Sequence, residues 1–339
     1  MLHLDRPTGA WFIIAIHSTH LGPGTGGTRL KHYADLAAAV RDALLLAEGM
    51  TYKFATIGFP RGGAKGVIAV PAGFDRAQRA DLLRRYGSLI HQLGGLFETG
   101  PDIGTSPADM DLIAETGAPY VRARTPASGG AGDSASATAL GVFHAIQVSC
   151  ETAFGDPSLH DRRVLVQGAG SVGGRLIAHL REAGAAVLVA DVDQAAVRRQ
   201  VDVEHLSAAE IYTTPCDVFA PCALGGVLNH ESIPLLRCRV VAGAANNQLA
   251  HPTHAERLRT RGILYAPDFV ANLGGAVAIS GRETMGWSED EANRQVVDGV
   301  TSALRHVFRI AAEEGITTVT AALRLAQARL TTPSSTSFL

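Results

Sequence analysis

Short apolar runs alternate with amphipathic stretches along most of the chain. Residues 12–17 read as a strand, and residues 35–47 carry apolar side chains at helical spacing. Residues 66–70 predict another strand and residues 75–93 another helix. A punctuated segment, 99–107, precedes a short helix starting at Asp109. The small, glycine-rich run 127–134 reads as a hinge or inter-domain junction, and residues 137–150 as the helix after it. Beyond a turn at Gly155-Asp156-Pro157 the pattern changes. Short apolar runs at 164–167, 186–190, 218–220, 240–243 and 263–266 alternate with helical segments. Strands covered on both faces lose the polar alternation of a half-exposed sheet, so this part predicts a parallel sheet with crossover helices. A last helix, 321–330, has no strand after it, and no internal repeat is visible.

With 339 residues the chain suits two domains rather than one. The net charge is only -2, without a basic or acidic block, which argues against nucleic acid or an anionic membrane surface as partner. The apolar run 11–16 is too short to span a bilayer and lacks the flanks of a signal peptide. Cys150, Cys216, Cys222 and Cys238 fit no zinc spacing. The expectation is a cytoplasmic, reduced protein with no metal. Residues 331–339 are Ser/Thr/Pro-rich and expected to be disordered.

Lysine occurs only at Lys31, Lys53 and Lys65, among many arginines. A lysine can be moved in pKa by its surroundings, whereas arginine stays protonated, so the few lysines are candidates for chemistry. Val164-Leu-Val-Gln-Gly168-Ala-Gly170-Ser-Val-Gly173 is a strand entering Gly-x-Gly-x-x-Gly and then a helix. The motif alone is weak, but its strand–turn–helix context is complete. Gly168 permits the tight turn, Gly170 admits a pyrophosphate, and Gly173 lets helix and strand pack closely. Ser171 and Val172 complete the loop at the helix N-terminus, where free amides favour phosphate. Asp191 ends the next strand; its carboxylate suits ribose hydroxyls and repels a 2′-phosphate, which predicts NAD over NADP. The bland alternative is a structural turn with Asp191 as a loop residue.

Three polar constellations lie in small-residue sequence: Gly49-Met-Thr-Tyr-Lys53, Gly62-Gly-Ala-Lys65-Gly66 and Gly100-Pro-Asp102-Ile-Gly104-Thr105. Glycines beside the lysines read as space for a ligand to approach. With Leu21-Gly-Pro-Gly-Thr-Gly-Gly-Thr-Arg29, Cys216-Asp-Val-Phe-Ala-Pro-Cys-Ala-Leu-Gly225, Ala242-Gly-Ala-Ala-Asn-Asn-Gln248 and Ala266-Pro-Asp-Phe-Val-Ala-Asn-Leu-Gly-Gly275, they occur together and in order. Over residues 10–330 the chain resembles the glutamate/leucine/phenylalanine/valine dehydrogenases, nearest the leucine and valine branch. The resemblance implies an N-terminal α/β substrate domain (1–131) with a C-terminal helix, 308–330, packing back on it. It implies a doubly wound Rossmann NAD-binding domain (132–307), with a cleft between the two. It implies oxidative deamination of an L-amino acid to the 2-oxo acid and ammonia, with the reverse reductive amination. Lys65 and Asp102 are then the catalytic residues, Lys53 binds the substrate carboxylate with Asn272, and Gly26 and Gly27 flank the substrate. Asn247 meets the cofactor near its nicotinamide end, and Ala223 also borders the cofactor.

In the glutamate branch a lysine holds the side-chain carboxylate where this chain has Thr25, so an apolar substrate is expected. Thr25, Gly100, Val297 and Val300 stand where the family places its pocket wall. Thr25 and Gly100 are smaller than the residues of leucine enzymes, which leaves branched aliphatic and aromatic side chains both open. Relative to the family the chain begins late, and a homodimer or larger homo-oligomer is expected. The rival readings are a shikimate- or methylenetetrahydrofolate-dehydrogenase-like oxidoreductase, and a non-catalytic NAD-binding or regulatory protein of the same fold.

Overall fold

A computed structural model describes residues 1–331, so the expected disorder of 332–339 lies outside the described residues. The chain divides into two compact units: 1–134 with 279–288 and 326 onward, and 135–278 with 289–325. The division falls after Ser134 rather than at residue 131. Of the C-terminal stretch 308–330, only the part from Ala326 groups with the first unit.

In the first unit the elements are β1 (Leu2–Asp5), β2 (Ala10–Ser18), β3 (Gly24–His32), α1 (Leu36–Ile57), β4 (Gly62–Val70), α2 (Arg79–Gln92), β5 (Phe97–Pro101) and α3 (Pro107–Gly117). The strands form one sheet in the order β1-β2-β4-β3-β5. β1 and β2 are antiparallel, as are β2 and β4; β3 runs parallel to both β4 and β5. One face carries Phe12, Ile14, Ile68, Phe97 and the buried sides of α2 and α3. The other carries Ile13, Ala15 and Val67, against Ala39, Ala43 and Ala47 of α1. Those alanines recur every fourth residue, so they make a narrow stripe that lets α1 lie close on the sheet.

The sequence pattern did not show β1, β3 or β5. Glycines at 24, 26 and 27 and the Gly100-Pro101 pair lower strand propensity. Their neighbours select the strand nevertheless. A Cβ on Gly26 would sit 1.8 Å from the Ala64 carbonyl oxygen, and one on Gly27 2.6 Å from that of Pro101. β1 is anchored through Asp5, whose carboxylate accepts hydrogen bonds from Arg85 Nε and Nη2 at 2.6 and 2.9 Å. α1 runs ten residues past Ala47, through Gly49, to a left-handed C-cap at Gly58 (φ 68°). Lys53 therefore stands on a helix rather than in a glycine loop.

The second unit contains α4 (Ala135–Phe154), β6 (Arg163–Gln167), α5 (Ser171–Glu182), β7 (Ala186–Ala190), α6 (Gln194–Arg198), β8 (Glu204–His205), β9 (Val218–Pro221), β10 (Val240–Val241), α7 (His254–Thr260), β11 (Leu264–Tyr265) and α8 (Asp268–Ala271). Then come α9 (Gly274–Thr284), which passes into the first unit at Ile279, α10 (Glu289–Glu314) and α11 (Thr318–Thr331). The sheet order is β11-β10-β9-β6-β7-β8, and all paired strands are parallel. The chain winds outward one way from β6 and then the other way from β9. This is the doubly wound Rossmann order, with its switch point between β6 and β9.

Candidate active site

Strand alternation sorts the site residues of the first unit. Thr28 Oγ1 meets Tyr86 Oη at 3.0 Å and Thr99 Oγ1 at 2.6 Å, beneath α2. Residues one step along therefore point to the opposite face: Thr25, Gly27 and Arg29 on β3, Lys65 on β4, and Glu98 and Gly100 on β5. Asp102 joins them just past β5. It is held by a turn in which Thr105 N–H donates to the Asp102 carbonyl (3.0 Å), with Gly104 at φ 80°. Only glycine fits there, since a Cβ would stand 1.9 Å from the Leu30 carbonyl oxygen. The glycines beside Lys65 serve packing. A Cβ on Gly63 would strike Thr51 N of α1, and one on Gly66 the Tyr86 hydroxyl, each at 2.1 Å. They bring the strand, and with it Lys65, between two helices.

Lys65 Nζ and Asp102 Oδ2 are 3.0 Å apart, and Lys65 is 5% exposed. Arg29 Nε donates to the same Asp102 oxygen at 2.8 Å, while its Nη1 lies 3.0 Å from Asp42 Oδ2. Tyr33 Oη donates to that Asp42 oxygen at 2.6 Å. Burial, the largest influence on Lys65, pushes its ammonium below the ordinary lysine range. Asp102 opposes this, and the Arg29 guanidinium adds to the lowering. Burial acts on Asp102 in the opposite sense, but Lys65 and Arg29 together hold it below the ordinary carboxylate range. The result is an anionic acceptor touching a lysine held below its ordinary range. The neighbouring cation that bears on Lys65 is Arg29. Arg29 belongs to a quoted motif, but nothing in its spacing announced the contact. Asp42 carried only a weak signal, as a charge beside the buried alanine stripe of α1.

Lys53 is half-buried near the end of α1. Gly26 and Gly27 are closely packed by neighbouring strands, whereas a Cβ on Gly100 would make only ordinary van der Waals contact, 3.8 Å from the Arg122 carbonyl oxygen. Asn272, Val297 and Val300 belong to the second unit. Val300 is fully buried and faces Gly141 of α4; Val297, one turn earlier, is half-buried. Asn272 Nδ2 donates to the Ala244 carbonyl (3.1 Å) and to Asn246 Oδ1 (2.8 Å), and its buried Oδ1 has no hydrogen-bond partner. Both donors are engaged, so holding a carboxylate there requires the amide to turn.

At the switch point Gly168 adopts φ 103°, and a Cβ on it would stand 2.9 Å from Ala223 N. Gly173 is closed by the Gly168 carbonyl oxygen at 1.9 Å, but a Cβ on Gly170 would meet nothing within 4 Å. Gly170 is the N-cap of α5 and supplies no side chain to the amides of Ser171 and Val172. The cradle thus matches a dinucleotide pyrophosphate: two glycines are demanded by packing, and the third leaves room over a bare helix N-terminus. Asp191 accepts hydrogen bonds from Ala169 N–H (2.7 Å) and Asp193 N–H (2.9 Å), which orient its carboxylate beside the loop. Asn247, exposed at φ 53°, accepts from Gly226 N–H through its carbonyl. Gly170→Ala is expected to leave thermal stability within about 1 kcal/mol of the parent while weakening nucleotide binding at least tenfold. Calorimetric titration with NADH checks this; unchanged affinity would place the pyrophosphate elsewhere.

Residues 9–118 match the Glu/Leu/Phe/Val dehydrogenase dimerisation domain, and residues 129–200 and 189–335 match the Glutamate/Leucine/Phenylalanine/Valine dehydrogenase family. The chain belongs to the Glu/Leu/Phe/Val dehydrogenase family. It is 42% identical to a valine dehydrogenase of Streptomyces albus over 96% of this chain and 90% of the relative. It is 40% identical to a leucine dehydrogenase of Geobacillus stearothermophilus over 97% and 89%. The L-tryptophan dehydrogenase of Nostoc punctiforme superposes with a TM-score of 0.82 at 39% identity, covering 97% of this chain and 94% of that one. As a member of this family the protein is a pyridine-nucleotide-dependent amino-acid dehydrogenase, an oxidoreductase acting on the CH–NH2 group of its substrate. The rival readings are not favoured. Among the described residues there is no metal-binding cluster and no helix long and apolar enough to cross a membrane.

Proposed function

We propose that the protein uses NAD to deaminate an L-amino acid with an apolar or aromatic side-chain body, Lys65 and Asp102 carrying the proton transfers. The buried Lys65–Asp102 pair, 3.0 Å apart and backed by Arg29, is the observation that carries this reading. Lys53 binds the substrate carboxylate. Asp102, held anionic, accepts a proton from the substrate amine. Gly168, Gly170, Ser171, Val172 and Gly173 would hold NAD, which when bound would supply the hydride acceptor facing the 2-carbon. Lys65 in its neutral form deprotonates the water that adds to the resulting imine, and as an ammonium it stabilises oxyanion charge at that carbon. Asp102 then returns its proton to the nitrogen and, anionic again, takes the carbinol hydroxyl proton as the C–N bond breaks, leaving the 2-oxo acid and ammonia. Thr25 and Gly100 line the side-chain pocket. Ala223 and Asn247 border the cofactor. We place the protein in the cytoplasm as a homodimer or larger homo-oligomer, its subunit contacts drawn from the 9–118 region.

Reduction of NAD at about pH 10, followed across L-amino acids from valine to tryptophan with glutamate included, tests the reading. Turnover of apolar or aromatic members and not of glutamate is expected. No turnover of any member, with NADH still binding, would overturn it. The Asp191 carboxylate should favour NAD over NADP in kcat/KM by about 100-fold, since a like charge at close range costs several kcal/mol. Asp191→Ser is expected to narrow that ratio; an unchanged ratio would relieve Asp191 of the role.

A further inference from the structure

Beside Thr25, on the Lys65 face of the sheet, stands a carboxylate that the pocket reading does not use. Glu98 pairs with Thr25 across the parallel β3–β5 ladder and lies two residues before Gly100, on the same face. It is 7% exposed. Arg122 Nη2 donates to its Oε1 at 2.9 Å, and Arg122 Nε reaches Oε2 at 3.4 Å. Arg61 Nε lies 3.7 Å from Oε2, beyond hydrogen-bond distance, and that buried donor has no hydrogen-bond partner. The rest of the Arg61 guanidinium is engaged: Nη1 donates to the Pro60 carbonyl (2.9 Å) and Nη2 to Thr284 Oγ1. Glu283, next to Thr284, accepts hydrogen bonds from Ala123 N–H and Ala131 N–H, which fixes this side of the cluster.

A pocket for a wholly aliphatic side chain gains nothing from such a trio. Burying three charges costs desolvation that apolar residues of similar volume avoid, and an unmet buried donor adds to the cost. The trio stands beside the two positions, Thr25 and Gly100, where bulk has been removed. It presents an unmet N–H and a carboxylate whose two oxygens have acceptor capacity left. A carboxylate side chain would satisfy the first and repel the second; an indole N–H would satisfy the second alone. A neutral group that both donates and accepts satisfies both.

We infer that Glu98 and Arg61 are specificity-determining residues that recognise the far end of the substrate side chain, and that this end is a neutral hydrogen-bonding group, such as a phenol or a carboxamide, on an otherwise apolar body. The inference rests on the proposed use of Thr25 and Gly100 as pocket wall. In such a site the hydroxyl donates to Glu98 and accepts from Arg61 Nε. A substrate lacking the group leaves both unpaired, which is how enzymes reject the analogue that lacks a hydroxyl.

The test is a comparison of kcat/KM for tyrosine against phenylalanine, and for glutamine against leucine, in the parent protein and in Glu98→Gln and Arg61→Met. The parent is expected to favour the hydrogen-bonding member of at least one pair by about tenfold or more. Each variant should bring that ratio toward one, whatever it does to thermal stability. Glu98→Gln keeps the shape of the side chain and so guards against simple misfolding. A parent without such a preference, or a preference that survives in both variants, would make the trio structural and overturn the inference. No turnover on any amino acid would instead overturn the functional reading beneath it.

Discussion

Lys65→Ala is expected to lower kcat for oxidative deamination by on the order of 10⁴-fold. Positioned proton transfer contributes about 10²–10⁴-fold, and loss of a pre-placed charge at a developing oxyanion about 10²–10³-fold. The effects overlap because one amine supplies both. The fold should survive the change, since Asp102 keeps its 2.8 Å contact with Arg29. Nucleotide binding should also survive, because the glycine loop belongs to the other compact unit. Steady-state kinetics, thermal unfolding and NADH titration on one preparation separate the three. Lys65→Arg should not rescue turnover, because a guanidinium does not give up its proton in the working range. A loss of less than tenfold in Lys65→Ala would assign the water-activating role to another group.

Arg29→Met is expected to act on stability and on the pH profile together. Its side chain is 9% exposed and bridges Asp102 and Asp42. Removing one partner of a buried ionic network costs about 3–5 kcal/mol, because the others stay buried without it. Asp102 is held below its ordinary pKa, so the stability it contributes is present above the unfolded value and is lost as pH falls through the folded one. Without Arg29 the folded value rises, and acid unfolding should begin at higher pH. In the role proposed for it Lys65 acts as the neutral amine, so in the parent protein the rate should climb with pH below the ordinary lysine value of about 10.4. Arg29 contributes to that lowering, and its loss should move the climb to higher pH. A profile flat from about pH 7 to 11 in the parent, or unmoved in the variant, would detach Lys65 from the rate.

Much of this protein was legible before any fold was drawn. The apolar runs at 164–167 and 186–190 correspond to β6 and β7, because strands buried on both faces must be apolar throughout. The glycine pattern at 168, 170 and 173 was readable because each glycine answers a different local demand, and the structure separates them as packed, open and packed. Lys53 and Lys65 stood out because this chain spends lysine sparingly, Asp102 was marked by its glycine-flanked motif, and the roles of all three came from the resemblance to the family.

Tertiary structure decided what local pattern could not encode. β3 became a strand despite three glycines because it is clamped between β4 and β5, whose carbonyls leave no room for a Cβ at Gly26 or Gly27. The helix α1 continued through Gly49 because packing on β2 and β4 outweighed the roughly 1 kcal/mol that a glycine costs. Arg29 meets Asp102 across 73 residues, and Arg61 faces Glu98 from the loop before β4. Charges so far apart in sequence carry no periodicity that marks them as partners. Only the order of strands in the sheet sets which side chains share a face, and burial then decides what that proximity does to their protons.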